Sequence, residues 1–283
     1  MKFAIYTINF GEFGDPRRAA LMASEAEAAG WDGYIVWDHV LGWPPDAPTA
    51  DPWVLLSAVA SATSRIRIGA LVTPIARRRP IKLAREVVTL DHLSNGRLVF
   101  GAGLGGTDEE FAVFGEDPDH RLRAEKLDEG LDVLAGLWSG EPFSYKGKHY
   151  SIDNVTFQPR SVQQPRVPIW IAGNWPNKKP FVRAARWDGI VTGDQGAGGP
   201  LTPDTFREIT GFIREHRQSD APFDVTYWGE TAGNSAEDAD RVAAYAEAGV
   251  TWWLENIHGW RGSYDEQLER VRLGPPRVPS THK

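Results

Sequence analysis

"RIRIGALVT", residues 65–73, and "RLVFGAG", residues 97–103, are short apolar runs, and the helix between them opens at Pro80 behind Arg77-Arg78-Arg79. Strand, helix and strand in that order make one βαβ unit, which sets the two strands parallel. Working outward, the same alternation runs along the whole chain. Strands are predicted at 3–10, 33–39, 65–73, 97–103, 168–173, 189–193, 224–230 and 251–257, each an apolar run bounded by turn residues. Eight such units in a chain of 283 residues fit a single α/β domain over 1–283, a (β/α)8 TIM barrel. An open doubly wound sheet would need a phosphate-binding turn after the first strand, and "NFGEFGDP" lacks the G-x-G-x-x-G spacing.

The helices carry their own punctuation. Asp15 caps the first, with Pro16 at its first position and Gly30 beyond its end. Leu127, Leu131, Leu134 and Trp138 recur at helical spacing, as do Phe206, Ile209 and Ile213 behind Thr202-Pro203. Ser235 and Asp238 form a candidate capping box, with Gly249 closing that helix. One segment breaks the rhythm: residues 139–167 insert between the fourth and fifth strands, and "FSYKGKHYSI" reads as a hairpin. We expect this insertion over the barrel mouth or at its edge, and a loosely ordered tail at 274–283.

Composition narrows the function classes. A net charge of −7 and the absence of a basic block other than Arg77-Arg78-Arg79 argue against nucleic acid and for a small-molecule partner. With no cysteine, disulfides, thiolate metal sites and cysteine nucleophiles are excluded. The N-terminal "MKFAIYTINF" reads as a strand rather than a leader, and no run reaches the roughly 18–20 apolar residues of a membrane span, so a cytoplasmic address with no membrane contact is expected. Twelve tryptophans, several beside glycine or proline, suit a cleft for a flat ligand as well as ordinary packing.

In a barrel the loops after the strands build the catalytic face. That rule selects Asn9, Asp38-His39, Val72-Thr73, Gly103 to Gly106, Gly173-Asn174, Thr192-Gly193-Asp194, Trp228 to Glu230 and Glu255 to His258. His39 titrates near neutrality when unperturbed and so can move a proton; a structural role for it stands beside that reading. Glycine runs such as "GAGLGG" at 101–106 serve either tight turns or the close approach of a ligand. Arg77-Arg78-Arg79 reads first as a solvated rim and second as an attractor for an acidic cofactor tail; Lys178, Lys179 and Arg183 are open in the same way. No metal site is expected, because "TINF" offers only Asn9 where a barrel hydrolase would carry H-x-H. Nor is there an H-E-x-x-H, P-loop or G-x-S-x-G motif.

The stretches "EAEAAGWDGYIVWDHV", "TSRIRIGALVTPIARRRPIKLAREVVTLDHLSNGRLVFGAGLGGTDEEFAVFG", "RAEKLDEGLDVLAGLWSGEPFSYKGKHYSI" and "QPRVPIWIAG" resemble the bacterial luciferase-like flavin monooxygenases, a superfamily that includes enzymes using the deazaflavin coenzyme F420. The resemblance implies an Asp-His pair at the reacting ring, with Asp38 near the cofactor and His39 handling a proton. It implies a substrate-lining role for Trp43, joined by Asn9, and a non-proline cis peptide at Ala70-Leu71 behind the ring, next to Val72. Gly101, Ala102 and Gly103 would flank the cofactor; Gly173, Thr192 and Gly193 would hold its phosphate. The glutamate that donates a proton in a sugar-phosphate dehydrogenase of this group aligns with Gly106, with Glu109 and Glu110 only nearby, which puts that reaction in doubt. The implied activity is hydride transfer between coenzyme F420 and a small organic substrate. A monooxygenase using reduced FMN and dioxygen is the alternative, and a non-catalytic flavin-binding barrel the reading from another class. A homodimer is implied as well, as is a flavin reductase or cofactor-recycling enzyme as partner.

Overall fold

The computed structural model describes residues 1–193, 200–233 and 235–276. Its elements run β1 (Lys2–Thr7), α1 (Pro16–Ala28), β2 (Gly33–Val36), α2 (Pro52–Ala62), β3 (Arg67–Pro74), α3 (Pro80–Leu93), β4 (Leu98–Gly103), α4 (Glu109–Ala112) and α5 (His120–Trp138). There follow β5 (Pro142–Lys146), β6 (Ser151–Thr156), β7 (Ile169–Ala172), α6 (Lys178–Ala184), β8 (Gly189–Val191), α7 (Pro203–His216), β9 (Asp224–Gly229), α8 (Ala236–Glu247), β10 (Trp252–Ile257) and α9 (Tyr264–Arg272). Eight strands close a parallel barrel in the order β1-β2-β3-β4-β7-β8-β9-β10, and β10 pairs back onto β1. The (β/α)8 architecture is the one the alternating pattern predicted, and the barrel strands are the eight predicted ones, trimmed at their ends.

Strand alternation divides the core in two. Ile5, Tyr34, Ile68, Phe100, Ile171 and Trp253 point outward to the helices, while Ala4, Tyr6, Ile35, Val99, Trp170, Val191, Trp252 and Leu254 fill the barrel. Each fully buried large side chain contributes roughly 1.5–3 kcal/mol of transfer free energy. Trp170 and Trp252 meet edge to face with centroids 5.5 Å apart. They fit because Gly189 lies beside them: a Cβ there would sit 2.5 Å from Trp170 Cδ1. These indoles fill part of the barrel interior.

The capping signals hold in detail. Asp15 accepts from the backbone of Arg17 and Arg18, and Thr202 from Thr205 N–H. The expected capping box at Ser235 is half formed: Ser235 accepts from Asp238 N–H, but the Asp238 carboxylate turns to Ala232 N–H and Arg241.

Two expectations are narrowed and one needs correction. The hairpin exists as β5–β6; Glu129 of α5 accepts from the backbone N–H groups of Lys148, His149 and Tyr150, and Arg85 of α3 donates to Gln158 O. The insertion is thereby tied to the outer helices, which fits the edge position of the two expected. The tail is packed as far as it is described: Pro276 is buried and Gly274 O accepts from Arg270, while residues 277–283 lie outside the described residues. The cis peptide falls at Leu71–Val72, one residue beyond Ala70–Leu71, inside an irregularity between Ala70 and Thr73 in the pairing of β3 with β4.

Candidate active site

Beyond β2 the chain leaves the barrel wall. Trp37 N–H still bonds to Thr7 O at 2.9 Å, and the next two residues turn into the mouth rim. Asn9 fixes that turn. Its buried side-chain amide donates to His39 O at 2.8 Å and Ala50 O at 2.7 Å, and its oxygen accepts from His39 N–H at 3.3 Å. Expected in the substrate pocket, Asn9 has both polar atoms engaged by backbone and acts as the clamp on which His39 is mounted.

Asp38 is not open to a ligand. Its carboxylate is wholly buried and is gripped by Arg77 Nη2 at 3.0 Å and Arg78 Nη2 at 2.9 Å. The reading of Arg77-Arg78 as a solvated rim therefore fails: the two side chains are only 7 and 16 % exposed and turn inward to Asp38. Burial works against the charge of Arg78, but Asp38 outweighs it and keeps the guanidinium protonated.

Glu110 of α4 completes the cluster. Oε2 lies 3.1 Å from His39 Nδ1 and 3.3 Å from Arg77 Nη1, while Oε1 accepts from Val40 N–H at 2.7 Å and Leu41 N–H at 3.3 Å. Burial alone would push this carboxyl up, but the His39, Arg77 and Val40 contacts outweigh it and bring it down to about 2. Two carboxylates and two guanidiniums thus balance in a buried knot that reaches the imidazole through Glu110 and the half-exposed Asp51 through Arg78.

The ring of His39 is boxed in. Its centroid is 5.0 Å from that of Trp43 and 5.5 Å from that of Trp37, and a Cβ on Gly106 would lie 2.9 Å from Cε1. Nε2 has no protein partner among the described residues. Around it Phe10, Trp37, Trp43 and Trp260 stand with neighbouring centroids 6.0–6.4 Å apart, and Trp43 and Trp260 are 44 and 57 % exposed at the lip. Deeper in, Tyr6 donates to Leu71 O at 3.1 Å, and burial pushes its phenol far up, so it stays a neutral donor.

The remaining expected cofactor contacts fall into two sets. Ala70 and Ala102 point outward into the helix layer, so only their backbone could serve a ligand. Gly101 and Gly103 make room for the irregular part of β3: Cβ atoms there would lie 2.4 Å from Leu71 Cδ2 and 2.6 Å from Val72 Cγ2. A Cβ on Gly193 would collide with Trp228 at 2.1 Å, and one on Gly173 would meet Pro180 at 2.7 Å. Among the described residues the buried hydroxyls of Thr73 and Thr192, at the ends of β3 and β8, and the Trp37 indole N–H have no hydrogen-bond partner. Lys178 lies over Trp175, and Arg183 pairs with Asp128. Asp194 and His282 lie outside the described residues. Sequence reading passed over Trp37 and the role of Glu110, and had Trp260 only among the tryptophans beside glycine or proline; the only signal for Glu110 was a pair of acids opening a short helix after a strand-end glycine run.

The sequence model described as luciferase-like monooxygenase matches residues 1–274. An uncharacterised protein of Sinorhizobium fredii is 32 % identical over 266 residues, 92 % of this chain and 72 % of its own length. An F420-dependent glucose-6-phosphate dehydrogenase of Amycolatopsis mediterranei is 33 % identical over 195 residues, 68 % of this chain but only 57 % of that enzyme. Among solved structures, an F420-dependent secondary alcohol dehydrogenase in complex with an F420-acetone adduct superposes with a TM-score of 0.78 over 96 % of this chain and 97 % of the other, at 20 % identity. Among the described residues no helix is long and apolar enough to cross a membrane. With nearly its whole length matched, the chain belongs to the luciferase-like monooxygenase family.

Proposed function

We propose that this protein is an oxidoreductase that transfers hydride between a deazaflavin, coenzyme F420, and a small organic substrate at the mouth of the barrel. The observation that carries the reading is His39: its Nδ1 is held by Glu110, its Nε2 has no protein partner among the described residues, and the ring stands among tryptophans at the C-terminal end of the barrel strands. A bound deazaflavin supplies a carbon that accepts or gives back a hydride. In the oxidising direction the substrate carbinol carbon loses hydride as its O–H proton passes to His39 Nε2; in the reducing direction the same nitrogen returns the proton to the carbonyl oxygen. Trp43 and Trp260 hold the apolar body of the substrate and keep water from the reacting atoms.

The residues present fit a polar ring system with a phosphate tail. Among the described residues the buried hydroxyls at Thr73 and Thr192 and the Trp37 indole N–H lack hydrogen-bond partners, an unsatisfied set that a ligand would complete. Thr73, the backbone of Val72, Gly173, Thr192 and Gly193 would hold it. Kinship with F420-dependent relatives supports the deazaflavin over FMN. The family's monooxygenases support the second reading, reduced FMN with dioxygen.

Fluorescence titration of apo-protein with coenzyme F420 and, separately, FMN tests the assignment, with Thr192→Val as control. Preferred binding of F420, weakened by Thr192→Val, is the expected result. Preference for FMN transfers the assignment to oxygen chemistry, and binding of neither overturns both.

A further inference from the structure

We propose that Glu110 is a positioning residue: it holds His39 in the tautomer protonated on Nδ1 and so presents the Nε2 lone pair, and no other basic atom of the ring, to the mouth. This rests on the reading of His39 as the proton-handling group, and it adds the residue that makes the imidazole single-minded.

The argument is one of donors and acceptors. An ionised carboxylate can only accept hydrogen bonds. Glu110 Oε1 accepts from Val40 N–H and Leu41 N–H, and Oε2 faces His39 Nδ1 with the Arg77 guanidinium as an ion-pair partner at 3.3 Å. The Nδ1 position must therefore carry the hydrogen, and in a neutral ring the lone pair falls to Nε2. The inverse tautomer would set two acceptors 3.1 Å apart in a pocket where the Glu110 side chain is only 3 % exposed.

Rotation of the ring, the other escape, is blocked on its faces. Trp37 and Trp43 stand 5.5 and 5.0 Å away, and Gly106 covers Cε1 so closely that a single Cβ would intrude at 2.9 Å. The same contacts assign Glu110 a different task from that of a proton donor to bound ligands, because its oxygens face the loop backbone and Arg77 and not the mouth. Glu109, one residue earlier, is exposed and serves as an internal control. The two NH bonds from Val40 and Leu41 have a second effect: Glu110 also anchors the loop that carries Trp43, so tautomer and pocket wall are set by one side chain.

The test is a spectrum before it is a rate. Histidine labelled with 15N in both ring positions gives long-range 1H–15N patterns that distinguish the tautomers, and His39→Asn identifies the signal. The expected wild-type spectrum, recorded at a pH high enough for neutral imidazole, shows one Nδ1–H form. In Glu110→Gln, whose amide can donate or accept, both forms should appear in comparable amounts. Turnover should fall roughly 10–100-fold, as for other carboxylates that orient a functional histidine. KM should hold within about threefold, the tenfold scale being 1.4 kcal/mol. Glu109→Gln should alter neither. A wild-type His39 protonated on Nε2 overturns the proposal without any variant, as does a Glu110→Gln protein that keeps the pure Nδ1–H form. If no hydride transfer is found with any deazaflavin, the function proposed above fails while the tautomer measurement still decides the role of Glu110.

Discussion

The mouth of the barrel holds two histidine–glutamate pairs, one after each of the strands that flank β1, and they are built differently. His39 and Glu110 lie 3.1 Å apart, both mostly buried, on a knot of charges from β2, β3 and α4. His258, after β10, is 4.0 Å from Glu230, whose side chain is 54 % exposed, and burial pushes this imidazole below its ordinary range. Beneath His258 another buried carboxylate, Glu255, accepts from Thr231 N–H, Thr231 Oγ1, Trp253 Nε1 and Arg261 Nη1. That network closes on itself and ends in scaffold. The first ends on a nitrogen with nothing bound. Burial and charge are common to both, and His258 also keeps a ring nitrogen, Nδ1, without a partner among the described residues; what separates the pairs is that only the His39 ring is held at hydrogen-bond distance by a buried carboxylate.

The largest effect should come from breaking the symmetry of the two histidines. His39→Ala is expected to lower turnover about 10²–10⁴-fold with cofactor binding retained, the range for losing a general acid–base group. His258→Asn should cost only a few-fold. Equal losses, measured by steady-state kinetics, would erase the distinction drawn here.

Next in size are the knots themselves. Asp38→Ala leaves Arg77 and Arg78 facing each other in a buried place, and Glu255→Ala strips Arg261 of its buried carboxylate, leaving it only the half-exposed Glu230; the first should destabilise by about 3–5 kcal/mol in denaturant titrations and the second by less. The comparison sharpens if Asp38→Ala also abolishes turnover in the fraction that stays folded, because only that knot carries His39.

A smaller effect is expected from acid. The Glu110 carboxyl is about 2 in the folded protein against an ordinary 4.5, so its ionised form stabilises the fold above 4.5, and that contribution is lost as the pH falls from there towards about 2. Glu110→Gln should flatten stability across that window when wild type and variant are unfolded in parallel. The His258 pair runs on a different scale: its imidazole is depressed by burial, so its contribution is present above the ordinary histidine range and fades as falling pH forces a proton onto it. Smallest of all, Trp260→Ala at the exposed lip should leave stability within about 1 kcal/mol and raise KM several-fold.

Much of the scaffold was legible in the residues. Period-two apolar runs located all the barrel strands, and Asp15, Thr202 and Gly30 marked helix ends, because these signals act between neighbours in sequence. Signals that depended on direction were misread. Arg77 and Arg78 looked like a solvated rim since nothing local says that a charged run after a strand will turn inward to Asp38, 39 and 40 residues back. Glu110 differs from Glu109 by one step on a single helical turn, and that step is the difference between exposure and contact with His39. The cis peptide was expected one residue early because an irregular strand has no alternation to count by.

By itself, then, the sequence determined the barrel, its hairpin insertion, the positions of its strand ends and the family to which the chain belongs. Only the tertiary structure decided which side chains meet at those strand ends. The reason is separation: the His39–Glu110 contact spans 71 residues and the Asn9 clamp 30, and such distances are set by closure of the sheet, not by any pattern a local stretch can hold.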